Sequence, residues 1–443
     1  MEKPILEQGS ANRAPVSETN RITTIDMLRG FALLGILLMN IPGFSMPDYS
    51  FEAFKNDPSS LNFWVFQIIG VLFEGKMRAM FGIVFGAGVL LFISNKGTKG
   101  VSVHALFYRR MFWLLLFGLI HSHLILWIGE ILYLYAVCGM ILYLFRNVPP
   151  KYLVWAVPIV AVASFVAGTL QYQDIRQKRI AYSEATKAKT ENKILTNAQT
   201  KALTEWREIE KSMIPNREDA KANTKKMKSD YGTVASYLRP IAVDIQTKYL
   251  PFEVWDSLAL MLLGLALFKW GFLTGSWSNK DYWKVLKIGY GIGLPLVIYA
   301  NYFYFQNFSV LEANLARMEQ VPINWVNLIY PFQRILLVMA HASALILLYK
   351  AGIASGFFSR LVAVGRMAFT NYITHSFVCT LFFFGYGLNY FGELEYYQIY
   401  FVVFAIWIFQ LIISPIWLKY FLFGPLEWLW RSLTYWKIQP FKR

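Results

Sequence analysis

Runs of about 20 mostly apolar residues, the length at which a helix crosses the hydrocarbon core of a bilayer, recur along nearly the whole chain. The sequence predicts crossings near 25–44, 77–94, 111–128, 130–146, 152–170, 254–272, 285–305, 326–349, 367–387 and 396–420. Two soluble domains do not account for this pattern. Of 443 residues 56% are apolar and only 16% charged, too few to cover a soluble surface of that size. Two cysteines, Cys138 and Cys379, both inside apolar runs, exclude a disulfide scaffold. The expected fold class is an all-α polytopic membrane protein of about ten transmembrane helices. A net charge of +16 would point to nucleic acid in a soluble protein. In a membrane protein it reports Lys and Arg retained on the cytoplasmic side, so the bilayer is the expected partner and nucleic acid is not.

The short loops sort by charge. Lys96, Lys99, Arg109 and Arg110 share one loop; Arg146 and Lys151 mark the next on that side, then Lys269, Lys280, Lys284 and Lys287, then Lys350 and Arg360. The C-terminal segment adds Lys419, Arg431, Lys437, Lys442 and Arg443. The alternate loops carry Asp48, Glu52 and Asp57, then Glu130, Glu312 and Glu319, and Glu393 and Glu395. This alternation holds if 62–94 is one crossing. Segment 62–73, too short to span, therefore reads as a re-entrant or surface helix on the outer face, with both termini cytoplasmic. The polar first 20 residues lack a secretory h-region, so no cleaved signal peptide is expected.

The expected organisation is a cytoplasmic N-terminal tail (1–24), an N-terminal bundle (25–170, with the re-entrant segment at 62–76), a charged extracytoplasmic insertion (171–250), a C-terminal bundle (251–420) and a cytoplasmic amphipathic tail (421–443). The insertion holds sixteen Lys and Arg against ten Asp and Glu, in a helix-forming composition. It reads either as a surface that recognises an acceptor or as a solvated, partly disordered segment. No internal repeat of the transporter type is evident.

Ionisable groups inside spans are costly and are candidates for function. In the first helix Asp26 and Arg29, at i, i+3, can pair; Asn40 lies within ~20° of the Arg29 face, ~16 Å further along. In WLLLFGLIHSHLILWIGEIL, His121 and His123 lie ~200° apart, so a straight helix aims only one into a pore. No HxxxH or HExxH spacing occurs, which argues against a metal. Arg334 and His341 lie within ~20° of one face, Asn371 and His375 can touch at i, i+4, and Tyr372 and His375 could share a lining, whereas Arg366 lies ~180° from His375.

Four stretches carry a family resemblance: IDMLRGFALLGILLMNIPGF, FEGKMRAMFGIVFGAGVLLF, RRMFWLLLFGLIHSHLILWIGEILYLYAVCGMI, and VGRMAFTNYITHSFVCTLFFFGYG with FGPLEWLWRSLTY. Together they resemble the YeiB-like bacterial integral membrane family, a domain of unknown function, over nearly the whole chain apart from 171–250. That family is distantly similar to membrane acyltransferases such as surface-polysaccharide O-acetylases and heparan-α-glucosaminide N-acetyltransferase, which share the D-x-L-R-G first helix. The resemblance implies a multi-pass protein of the bacterial cytoplasmic membrane. The O-acetylases commonly place a His near the outer end of that helix. This chain has Asn40 there and no His between Asn40 and Met80.

Under an acyltransferase reading, cytoplasmic acetyl-CoA or another acyl-CoA is the donor, its phosphates held by some of Arg29, Arg109, Arg110 and Arg366. His121 or His123 is the base toward a hydroxyl or amine of an extracytoplasmic acceptor. Glu130 or Glu74 orients the imidazole, and Asn40 with Lys76 or Arg78 stabilises the oxyanion. Lys76, Arg78, Arg334, Asn371, Tyr372 and His375 are candidate substrate contacts. The same charges would serve a transporter of a small organic ion, and a membrane scaffold is the third reading. The sequence leaves the oligomeric state open, a homo-oligomer among the alternatives.

Overall fold

Inside a bilayer a helix pairs its own backbone groups, and most of the length of the apolar runs is helix. The chain is all-α in the computed structural model, which describes residues 21–47, 54, 55, 57–94, 102–213, 217–308 and 311–443. Residues 1–20, Asp48, Glu52, Lys96, Lys99 and the side chain of Glu312, on which some expectations fell, lie outside that description. In chain order the helices are α1 (Thr23–Ser45), α2 (Leu61–Leu72), α3 (Lys76–Ser94), α4 (Val103–His123), α5 (Leu132–Leu142), α6 (Pro150–Leu153) and α7 (Ala156–Thr190). There follow α8 (Asn197–Met213), α9 (Arg217–Met227) and α10 (Tyr231–Asp244), joined through a π-helical turn, Ile245–Tyr249, to α11 (Leu250–Lys269). The chain continues with α12 (Asn279–Phe308), α13 (Leu311–Gln320), α14 (Val326–Lys350), α15 (Ser355–Arg366), α16 (Ala368–Phe383), α17 (Tyr396–Tyr420) and α18 (Pro425–Tyr435).

Seven stretches among the described residues are long and apolar enough to cross a membrane: Thr23–Ser45, Leu61–Ser94, Val103–His123, Pro150–Thr190, Tyr231–Lys269, Val326–Lys350 and Tyr396–Tyr420. The chain is therefore a multi-pass membrane protein. Helix α1 is central, packing against α3, α15, α16 and α17; its Met27, Leu28, Ala32, Leu33 and Leu37 are wholly enclosed. Helix α3 lies along α11, and α12 along α14.

Hydrogen bonds gather distant segments at two ends. At one end Tyr349 donates to Thr23 Oγ1 (3.1 Å), Lys269 to the carbonyls of Arg146 (2.8 Å) and Val148 (2.6 Å), Lys350 to that of Trp277 (2.8 Å), and Trp430 to that of Arg110 (2.9 Å). At the other, Gly392 N donates to Ser45 O (2.7 Å), Asn62 to Glu395 (2.7 Å), and Tyr231 to Leu124 O (2.8 Å). The first end holds Arg109, Arg110, Arg146, Lys269 and Lys350; we call it the basic end.

Two boundaries differ from the sequence expectation, and a third falls where it was expected. The span expected at 111–128 ends at His123, and residues 124–131 are irregular, with Leu126 at φ 64°. Helix α7, expected to end near 170, continues to Thr190, because the apolar face of its span gives way to a polar helix former rather than to a breaker. Segment 62–94 breaks at Phe73-Glu74-Gly75, where Gly75 takes φ +68°, a conformation that needs no Cβ. Residues 171–250 are largely helical, and α10 joins a core: Val234, Ala235 and Leu238 pack with Leu126, Trp127 and Phe384.

Candidate functional site

A cavity of about 230 Å³ opens among the N-terminal part of α1, the C-terminal part of α3, α4, and the α15–α16 junction, with α18 folded across it. Five arginines line it, Arg21, Arg29, Arg110, Arg366 and Arg431, against two acids, Asp26 and Glu427, a surplus of three positive charges. Asp26, 4% exposed, is held by Arg21 (2.5 Å) and Arg29 (2.6 Å), which fixes both guanidinium groups. Glu427 accepts from Phe369 N (2.6 Å), Thr370 N (3.1 Å) and Thr370 Oγ1 (2.5 Å), capping the free amides at the start of α16. Burial raises its carboxyl pKa above the ordinary value. Arg110 stacks over Trp430, 3.6 Å from the ring centroid. Glu427, Trp430 and Arg431 fall on one face of α18 by i, i+3, i+4 spacing.

Away from the arginines the cavity wall is apolar: Phe81, Phe85, Met111, Leu114 and Leu132, with Tyr135 and Tyr372. Behind Tyr372 stands His121. The two rings meet edge to face with centroids 5.2 Å apart. His121 is wholly buried, and neither ring nitrogen has a hydrogen-bond partner. Its Nδ1 lies 3.8 Å from Glu130 Oε1. Glu130, its side chain 2% exposed, also accepts from Leu132 N and from Tyr133 N (3.0 Å), so it caps α5 while facing the imidazole.

The irregular loop 124–131 brings these two groups together. Irregular backbone needs partners for its polar groups, and here α10 and the π-turn supply them. Tyr231 donates to Leu124 O, Arg239 to His123 O (3.0 Å), and Gln246 to Ser122 Oγ (2.8 Å). Trp127 stacks on Phe44 with centroids 3.7 Å apart. Gly118 allows the close approach of α4 to this loop: a Cβ there would lie 2.5 Å from Tyr133 N and 2.9 Å from Glu130 Oε2.

The other candidates lie elsewhere. His123 faces the opposite way and meets Gln246 Oε1 (3.1 Å). Arg109 leaves the cavity for Trp436, 4.0 Å from the ring centroid, and Thr434 O (3.2 Å). Asn40 is half-buried and does not line the cavity. Lys76, 1% exposed, donates to Gly70 O (2.9 Å), and Glu74 accepts from Tyr330 OH (2.9 Å). Arg78 and Arg334 converge on Asp256, at 3.2 and 2.5 Å. His341 meets Leu72 O (3.0 Å) and Tyr290 OH (2.8 Å). Asn371 donates to Val364 O and Ser414 Oγ, both 3.1 Å, and His375 meets Gln410 Oε1 (2.8 Å), away from Tyr372. Three cavity residues were not singled out from sequence, Arg21, Glu427 and Arg431; nor was Asp256, although an Asp inside an apolar run was a usable signal. Among the described residues no three His, Cys, Asp or Glu side chains converge as metal ligands would.

Residues 267–437 match the family model described as "Protein of unknown function (DUF418)". Over nearly its full length the chain is homologous to two uncharacterized bacterial proteins. It is 28% identical to YxaH of Bacillus subtilis over 433 residues, 96% of this chain and 97% of the relative. It is 26% identical to YeiB of Escherichia coli over 432 residues, 94% of this chain and 96% of the relative. No solved structure matches.

Proposed function

Taking the chain as a member of the DUF418 family, we propose that it is a membrane acyltransferase of the bacterial cytoplasmic membrane. It moves an acyl group, acetyl being the simplest, from cytoplasmic acyl-CoA to a hydroxyl or amine of an extracytoplasmic glycan, lipid or small molecule. The observation that carries this reading is a cavity with arginines at one end and apolar walls at the other, closed by Tyr372 in front of the His121–Glu130 pair. The guanidinium groups of Arg29, Arg110, Arg366, Arg21 and Arg431 suit phosphates, and the apolar wall suits a pantetheine arm.

In this reading the chain crosses ten times, through α1, α3, α4, α5, α7, α11, α12, α14, α16 and α17, with α2 re-entrant. The Lys and Arg residues collected at the basic end support a cytoplasmic orientation for that end and for both termini. Tyr372 turns aside to admit the thioester. His121 takes the proton of the acceptor O–H or N–H as the acceptor atom bonds to the thioester carbonyl carbon; the C–S bond then breaks, and the departing thiolate takes that proton back. Glu130 stabilises the transient imidazolium. Asn40 is not used because it does not line the cavity, nor are Lys76, Arg78 and Glu74, which the contacts above hold elsewhere. The test is calorimetric titration of coenzyme A and acetyl-CoA into protein in lipid nanodiscs. Saturable binding that Arg110→Ala weakens supports the reading; absence of binding contradicts it.

One observation favours a second reading. The apolar stretch 62–94 is discontinuous at Phe73-Glu74-Gly75, as helices at transporter sites are, with Lys76 and His341 on the carbonyls of Gly70 and Leu72 beside the break. A transporter would move a small organic ion across vesicles without consuming thioester.

A further inference from the structure

A second cavity, of about 450 Å³, lies beneath α2 at the end away from the arginines, enclosed by α12, α14 and the start of α17. It shares no lining residue with the arginine-lined cavity. We infer that it is a separate binding site for an uncharged polyhydroxylated ligand, such as a sugar ring. This inference does not rest on acyl transfer.

Hydrogen-bond chemistry sets the ligand class. Gln333 lines the cavity at 3% exposure, and its Oε1 is buried with no partner. An unmade hydrogen bond at a buried oxygen is costly, so the site calls for a donor from outside the chain. Asn301 gives one of its two amide N–H groups to Val297 O (2.9 Å), which leaves the other N–H and its Oδ1 for a ligand. Glu74 receives Tyr330 OH on one oxygen and keeps the other. Gln67 is the one polar side chain of α2 between Asn62 and Glu74, and it too faces this cavity. The amides and Lys55 supply donors as well as acceptors, so the complementary ligand carries several O–H groups, which both donate and accept.

Charge removes the alternatives. Glu74 and Lys55, one of each sign in the lining, leave no net charge to select an anion or a cation. Phe66 and Tyr396 add apolar ring surface, against which the C–H face of a pyranose packs. A neutral polyol satisfies all three conditions.

The test uses the protein in lipid nanodiscs, free of sugar-headed detergent. Methyl α-glucoside, trehalose and glycerol are titrated by calorimetry beside ethanolamine and acetate. The inference predicts saturable heat from at least one polyol and none from the charged probes. Gln333→Leu should weaken that binding up to about tenfold, the worth of a neutral hydrogen bond, at an unchanged unfolding temperature. Gln67→Ala, a milder change in α2, should weaken it in the same direction. Binding of ethanolamine or acetate in place of the polyols, no polyol binding at millimolar concentration, or polyol binding indifferent to both variants would each overturn it.

Discussion

His121 Nδ1 and Glu130 Oε1 lie 3.8 Å apart in a dry setting, nine residues apart in sequence and on opposite sides of a helix break. A continuous helix would put nine residues ~13 Å apart along its axis; the turn at 124–131 folds that distance away. The account predicts that His121→Ala abolishes acyl transfer, whereas His123→Ala, which loses only the contact to Gln246, weakens it slightly. A positioned base contributes 10²–10⁴-fold in general, so initial rates of the two variants should differ by about two orders of magnitude. Equal losses would place the base elsewhere.

Gly118→Ala probes the same pair without touching either group. Its Cβ would press on Tyr133 N and Glu130 Oε2, moving the carboxylate that faces His121. Overpacking of this kind costs about 1–3 kcal/mol. We expect a lower unfolding temperature and a loss of turnover, with coenzyme A affinity retained because the arginines are remote from Gly118. Full turnover in Gly118→Ala would show that the close approach is dispensable.

At the basic end, Arg110→Ala should weaken coenzyme A binding by about 10- to 150-fold, the range for a hydrogen bond to a charged group. Arg109→Ala should change it little, since Arg109 leaves the cavity for Trp436 and Thr434. Titration calorimetry of the two single variants separates them, and a larger effect from Arg109 would relocate the phosphate site.

Glu427 gives a pH signature. Burial holds its folded pKa above the ordinary 4.5, so between those two values the folded protein binds more protons than the unfolded one. Stability contributed by this group therefore falls as pH rises from about 4.5 through the folded pKa. Unfolding temperatures of wild type and Glu427→Gln, measured across that range, should diverge in favour of the Gln variant as pH rises; parallel curves would show that Glu427 does not titrate there.

Much of this was legible in the chain. The D-x-L-R-G helix placed Asp26 and Arg29 together, as the structure has them, and the helical wheel separated His121 from His123. What stayed hidden depends on non-local folding. Arg431 and Glu427 reach the cavity only because α18 folds back across α4 and α16, and α18 is separated from α1 by nearly the whole sequence. The break after His123 carries no proline, and its one glycine, Gly129, comes near its end; an uninterrupted apolar run reads as one helix. Its cause lies in α10, in a segment whose composition suggests only solvation, where Tyr231, Arg239 and Gln246 reach the broken end.

Orientation is open to direct labelling. A cysteine placed in 95–110 should react only with reagent on the cytoplasmic side, and one placed in 185–230 only with reagent outside. Reaction of both from one side would remove the ten-crossing arrangement.

The most direct test of the central claim is acetyl transfer across a sealed membrane. Protein reconstituted into liposomes with its basic end outward receives labelled acetyl-CoA outside, and hydroxyl and amine acceptors are enclosed within. The account predicts labelled acceptor in the lumen, with one free thiol released outside for each acetyl moved, and neither product from His121→Ala. Flux of an organic ion with no thiol release from the wild-type protein would contradict it.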